Sequence, residues 1–382
     1  MGSCEAVTPV AEDTTGRPAA APGPGRAPRW RDRMRHDRLV VVRSHRLGVS
    51  TRVHARAVGV TGVVLGVALV VFAWSLSVGD FPIPIGDVLA SLVGAGTEDG
   101  DFIVRTLRLP RGLTGLLVGA AFGLSGAIFQ RIARNPLASP DIIGINAGAA
   151  AAAVFVIVVL GGTSSQVTFG ALAGAVVTAA AIYLLAYKRG VTGYRLVLVG
   201  IGITAMLGSV TSYLLTRAEI FDAQRATVWL TGSLNGRGWE HVRPVTAALV
   251  ILVPAAIALA RHLRMLELGD DAARGLGTRV EVSRGALLLT GVALAALATA
   301  SAGPVAFVAL VAPQVARRLT GGRSLALLPA AACGALLLVG SDLVARRLFA
   351  PTELPVGVFT AVLGAPYLLY LLARANKIGS GG

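Results

Sequence analysis

Residues 112–131 read Gly112-Leu-Thr-Gly-Leu-Leu-Val-Gly-Ala-Ala-Phe-Gly-Leu-Ser-Gly-Ala-Ile-Phe-Gln-Arg131, an uncharged run closed by one arginine. About 20 such residues, as a helix rising 1.5 Å per residue, match the ~30 Å hydrocarbon core of a bilayer. Its glycines and alanines suit helices that pack backbone to backbone in lipid. The run is too long, and alternates too little, to be a strand of a membrane barrel. Comparable runs fall near 57–78, 142–160, 168–186, 196–216, 242–260, 285–302, 304–319, 325–343 and 356–373, with the run at 304–319 short and interrupted by Pro313. The expected fold is therefore all-α: a polytopic membrane protein with about ten transmembrane helices.

Composition agrees. The chain has 382 residues, 54% hydrophobic and 14% charged, against about 25% charged in soluble domains. It is also far too apolar to be disordered throughout. The net charge of +15 would suggest nucleic acid in a soluble protein; in a membrane protein its distribution over the loops reports orientation. With the N-terminus inside, the inner segments hold the basic tail, Arg131, Arg134, the arginines between 261 and 284, Arg317, Arg318, Arg323, Arg374 and Lys377. This is most of the basic residues, so both termini are expected in the cytoplasm. Residues 1–56, rich in Ala and Pro and then in Arg, read as a disordered basic cytoplasmic tail with no cleavable signal ahead of residue 57. The transmembrane domain is expected to span 57–376, with a loop of interest at about 262–283, and 377–382 read as a short C-terminal tail.

Several function classes lose support. The centres of the spans hold no Asp, Glu, Lys or His, although ion-coupled carriers depend on ionisable groups there. No constellation suits a membrane enzyme, and Cys4 and Cys333 show neither disulfide nor metal spacing. No lysine follows a glycine, so the chain has no P-loop, and an ATPase would be a separate chain. No cofactor or metal is expected on this one.

Three groups of residues stand out. Asn135, Pro136 and Pro140 break the entry to the third span, and Gly303, Pro304, Pro313 and Gln314 interrupt the region around the eighth. Such breaks occur at membrane depth where protein or a water-filled cavity satisfies the backbone, so they mark a pathway or tight packing. On the outer side lie Arg105, Arg108 and Arg111, after Glu98, Asp99 and Asp101, with Arg346 and Arg347 near Glu353. Arginines there run against the insertion bias; they dock an acidic partner or anionic ligand, or they anchor and pair locally. Asp342 and Arg346, four apart, form a helix-internal pair by default. On the inner side, Leu268-Gly269-Asp270-Asp271-Ala272-Ala273-Arg274-Gly275-Leu276-Gly277 carries a glycine stop and acidic caps. It reads as two short helices forming a knob for a partner's cleft, or as a plain connection.

Order and spacing then make a likeness visible. Arg108-Leu-Pro-Arg111, Leu117-Val-Gly-Ala120, Ser125-Gly-Ala127, Gln130, Asn135-Pro-Leu-Ala138 and Gly144 through Gly148-Ala149 open the series. It continues with Trp229-Leu-Thr-Gly-Ser-Leu234, Leu268 through Ala273, Leu276-Gly277 and Ala302-Gly-Pro-Val-Ala-Phe-Val308. It closes with Pro313, Asp342, Ala345-Arg346, Glu353-Leu-Pro-Val-Gly357 and Gly364-Ala-Pro366. Over about 57–375 the chain resembles the FecCD-type permeases of type II ABC importers for ferric siderophores, haem and vitamin B12. The resemblance implies two permease subunits around a central pathway, two cytosolic ATPases carrying ATP and Mg, and an extracytoplasmic binding protein. It implies that Arg108, Arg111 and Arg346 pair with acidic residues of that binding protein, and that Leu268–Gly277 couples to the ATPases. The implied cargo is a ferric siderophore, with cobalamin or haem as alternatives and a stand-alone secondary transporter as a remote one. Two departures are Gln314, where the family has His, and the long basic tail.

Overall fold

A computed structural model of the protein describes residues 39–44, 49–79, 81–187, 193–322, 324–350 and 352–379. It opens with two antiparallel strands, β1 (Leu39–Ser44) and β2 (Val49–His54), paired from Leu39 opposite His54 to Ser44 opposite Val49. This corrects the expectation of a disordered segment up to residue 56. Valines and threonine favour extended backbone, a local preference that the arginine content of the stretch had obscured. Residues 1–38 lie outside the described part.

The helices follow directly. They are α1 (Ala55–Ser77), α2 (Ile85–Val93), α3 (Glu98–Asp101), a π-helical stretch Phe102–Arg108, and α4 (Leu109–Ile132). Next come α5 (Pro140–Ile143), α6 (Ile145–Val158), α7 (Ser164–Ala186), α8 (Gly193–Arg217) and α9 (Ile220–Thr231). The chain ends with α10 (Trp239–Glu267), α11 (Asp270–Gly275), α12 (Val280–Ala302), α13 (Val308–Thr320), α14 (Leu327–Arg347) and α15 (Val356–Gly379). Each expected span has its helix, and among the described residues seven helices are long and apolar enough to cross a membrane. Residues 377–379, expected in a tail, continue α15.

For α6 and α13 the shortfall has a physical cause. Gly144 (φ 100°) separates α5 from α6, and the non-helical Gly303–Phe307 segment separates α12 from α13. The resulting helices of 14 and 13 residues are each about 20 Å long, short of a full crossing.

Burial sorts the helices into layers. The apolar stretch of α1 is 11% buried, whereas that of the segment containing α4 is 78% buried. α4 is therefore the hub, packed on α10, α12, α13 and α14, with Phe122, Leu124 and Ile128 in the shared core. A second core joins α6, α7 and α8 to the opposite face of α12. The seam between α4 and α14 depends on glycine. A Cβ on Gly119 would lie 2.3 Å from the Gly334 carbonyl oxygen, so any side chain would force the helices apart, as expected of small-residue packing in lipid.

Candidate functional site

The first group gathers where α4 begins. Arg111, in its first turn, donates through Nη2 to Asp342 Oδ1 on α14 (2.9 Å) and through Nη1 to Glu353 Oε2 (2.9 Å), just ahead of α15. Arg346 Nε lies 3.2 Å from Asp342 Oδ2. Side-chain exposure is 12% for Arg111, 6% for Asp342 and 9% for Arg346. Two cations and two acids thus form a neutral cluster, dry at Arg111, Asp342 and Arg346 and reaching its rim at Glu353, which is 32% exposed. Its charges are tolerable there because each is paired. Asp342 and Arg346 are indeed a helix-internal pair, but one extended by Arg111 from 231 residues away.

Arg108 stands apart from the cluster. It donates to the carbonyls of Leu76 (2.7 Å) and Phe81 (2.5 Å), and Arg346 reaches those of Ser75 and Val78 (both 3.4 Å). Both guanidiniums therefore sit at the C-terminal end of α1, where unsatisfied carbonyls favour a cation. The structure commits the three arginines chosen from the sequence to contacts within the chain. Arg105, whose side chain is 48% exposed, and Arg347 are among the exposed cations on this end. Arg105 lies only 4.0 Å from Asp101, and Arg347 has no hydrogen bond or ion pair among the described residues.

The opposite end of α4 meets the predicted loop. The expectation of two short helices is corrected: the first is simply the end of α10, and only α11 is separate. Gly269 (φ 110°), a conformation open to glycine, takes the N-cap position expected of an aspartate. Asp270 Oδ1 instead accepts from Arg284 Nη2 (2.7 Å) and Arg134 Nη2 (3.2 Å). The Arg284 hydrogen bond, with the charges of Arg284, Arg134 and Arg274, holds the Asp270 carboxyl below its ordinary pKa despite partial burial. Arg131 pairs with Glu267 and donates to the Ser324 carbonyl (2.7 Å), fixing the end of α10. Ala273 is buried under α11, while Asp271 and Arg274 pair on its exposed side (3.2 Å). Leu268 and Leu276, at its two ends, are 62% and 63% exposed. A short rigid helix thus presents two leucines outward. Arg134 and Arg284 carry no local signal in the sequence for this role.

The broken helices meet between the two ends. Gln314 Nε2 donates to Gln130 Oε1 (2.6 Å) and to the Pro136 carbonyl (3.0 Å), and Gln130 Nε2 donates to the Leu310 carbonyl (3.0 Å). One amide thereby ties the Asn135-Pro136 break to α13, and Pro313 is buried beside it. Pro140 begins α5, and Asp141 after it accepts from Asn146 and from the Phe307 backbone; Thr299 donates to Asn146 Oδ1 (2.7 Å). The sequence places Asp141 just before a span; the break carries it onto the start of α13. Gly303 and Pro304 pack backbone to backbone on the end of α9. A Cβ on Gly303 would lie 2.6 Å from the Trp229 carbonyl oxygen, which explains the glycine there.

Residues 67–374 match the FecCD transport family. The chain belongs to that family. Over 304 residues it is 43% identical to the ferric enterobactin transport system permease protein FepG of Escherichia coli (strain K12), an alignment covering 80% of this chain and 92% of FepG. It is also 43% identical, over 317 residues, to the iron(3+)-hydroxamate import system permease protein FhuG of Bacillus subtilis (strain 168), covering 81% and 94%. A solved inward-facing structure of a metal-chelate type ABC transporter superposes with a TM-score of 0.74 at 26% identity, covering 83% of this chain and 99% of that one. This FecCD permease is a transport subunit of an ABC importer and a multi-pass protein of the bacterial cytoplasmic membrane.

Proposed function

We propose that this permease carries a ferric siderophore across the cytoplasmic membrane. An extracytoplasmic binding protein delivers the chelate to the Arg111 end, and ATP with Mg is hydrolysed on two separate ATPase subunits at the Asp270 end. A second permease copy, identical or homologous, completes the pathway, and this chain binds no cofactor of its own. Both termini then lie in the cytoplasm, the orientation that the excess of basic residues in the inner segments supports. The observation that carries the reading is α11: a short helix clamped by Asp270 and flanked by outward-facing Leu268 and Leu276. A polar clamp with exposed apolar ends suits an element that seats in a partner's cleft. Movement of that cleft on ATP binding is transmitted through Arg134 and Arg284 to α4 and α12, which rock the pathway between its two openings.

The test is ATP-dependent uptake of radioactive iron as ferric siderophore by proteoliposomes holding the permease, ATPase and binding protein. Uptake requiring all three is expected. Uptake that persists without the ATPase overturns the reading, and accumulation of cobalamin or haem in place of the ferric chelate reassigns the cargo.

A further inference from the structure

A cavity of about 730 Å³ opens beside the Arg111 cluster, between the end of α9, the loop that follows it and the segment before α15. That volume lies within the range of small-molecule sites. Its wall is apolar around Trp229, which is 8% exposed, and polar at Ser233 and Asn235. Two arginines, Arg225 and Arg237, line it together with a single acid, Glu353. The acid is already neutralised by Arg111 at 2.9 Å. The arginines are not matched in that way. Arg225 donates to the Gly162 carbonyl but has its nearest carboxylate, Asp222, only at 3.9 Å, and half of its side chain is exposed. Arg237 donates to the Ser233 carbonyl (3.2 Å) and meets His241 Nε2 (3.0 Å), with no carboxylate within salt-bridge distance among the described residues. Burial holds its guanidinium below the ordinary pKa, the mark of a cation stripped of water without full compensation.

We infer that this cavity is a receiving site for an anionic iron(III) chelate, with Arg237 and Arg225 holding its carboxylate or phenolate oxygens and the Trp229 wall its apolar body. Guanidinium forks match such oxygens, and an under-compensated cation in a recess concentrates anions. The inference rests on the transport reading above for the identity of the cargo, but its electrostatics stand independently.

The test uses the full chain in nanodiscs with Cys4→Ser and Cys333→Ala, and Asn235→Cys as a reporter on the cavity wall. Its modification is timed with methanethiosulfonate reagents of similar size, one an anionic sulfonate and one a cationic trimethylammonium. The anionic reagent is expected to react faster, and Arg237→Gln to cut the rate ratio about fivefold, the effect of removing one nearby charge in a partly screened site. Arg347→Gln, exposed and outside the cavity lining, leaves the ratio unchanged. Ferric dicitrate is expected to slow labelling more than a neutral ferric trihydroxamate does, and Arg225→Gln with Arg237→Gln to erase that difference. A ratio that survives the double substitution, or equal protection by both chelates in the parent protein, overturns the inference. Neither arm needs ATP or a partner, so a failure of ATP-driven uptake counts against the transport reading and leaves this result legible.

Discussion

Both ends of α4 finish in arginines that reach carboxylates on distant elements, and the two ends differ in how much they close. At the Arg111 end, Arg111, Asp342 and Arg346 are each no more than 12% exposed, with Glu353 closing the cluster from its rim, and together they bind α4, α14 and the segment before α15. At the Asp270 end, the carboxylate stays 33% exposed and its arginines hold a helix whose leucines project outward. One cluster is inward-facing and acts as a latch; the other is a mount. An ion pair therefore has to be read with its burial and with what it leaves uncovered.

The largest effect is expected from breaking the latch. Asp342→Ala leaves Arg111 with Glu353 alone and Arg346 with only the α1 carbonyls, and losing one partner of a buried pair costs about 3–5 kcal/mol. Thermal unfolding in detergent measures it; a midpoint equal to that of the parent would remove the latch from the account. The mount should respond in activity instead. Leu268→Asp with Leu276→Asp touches only exposed side chains, so the midpoint stays put. ATP-dependent uptake is expected to fall at least about tenfold, which needs only ~1.4 kcal/mol of lost coupling. Normal uptake with normal assembly would mean that α11 is a plain connection.

A smaller effect belongs to Asp270 itself. Its carboxyl is held below the ordinary range, so its contribution is present above the unfolded pKa and is lost as pH falls through the lower folded value. Being a third exposed, it is worth no more than about 1 kcal/mol. The stability gap between the parent and Asp270→Asn should be constant above about pH 5 and close below about pH 4. A gap that widens in acid would reverse the sign and refute the pairing.

What the sequence disclosed follows from the range of the forces involved. The spans were legible because desolvation acts on each long apolar run separately. The break points were legible from Asn135-Pro136 and from Gly303-Pro304, and the isolated α11 from the glycines around it. The eighth run was already short in the sequence, but the length lost by α6 was not legible, because hydropathy continues across Gly144 while the helical backbone does not. Gln314 stands where the family resemblance implies His. The structure shows why an amide serves there: it donates to Gln130 and to the Pro136 carbonyl together. Asp342 and Arg346 were paired by their spacing, but Arg111 comes to them across 231 residues, a meeting that only tertiary packing decides. The same limit separated the arginines closed inside the latch from Arg347, which adjoins them in sequence and points away.

That separation yields the finest test of the comparison. Arg346 and Arg347 are neighbours of one charge at the end of one helix, so charge reversal changes the long-range field of this end almost equally at either. Arg346→Glu also places a third acid in the closed cluster and strips the α1 carbonyls of a donor, so it should unfold at lower temperature. Arg347→Glu leaves the midpoint unchanged within about 0.5 kcal/mol, as at other exposed sites. If the exposed cations meet the binding protein, Arg347→Glu should still weaken its affinity about three- to tenfold, with the loss shrinking as salt screens the contact. Titration of the binding protein against nanodisc-held permease at two ionic strengths gives both numbers. An affinity that ignores Arg347 and follows Arg346 in a protein of unchanged stability would put the docking contact inside the latch, which would then have to open for the partner.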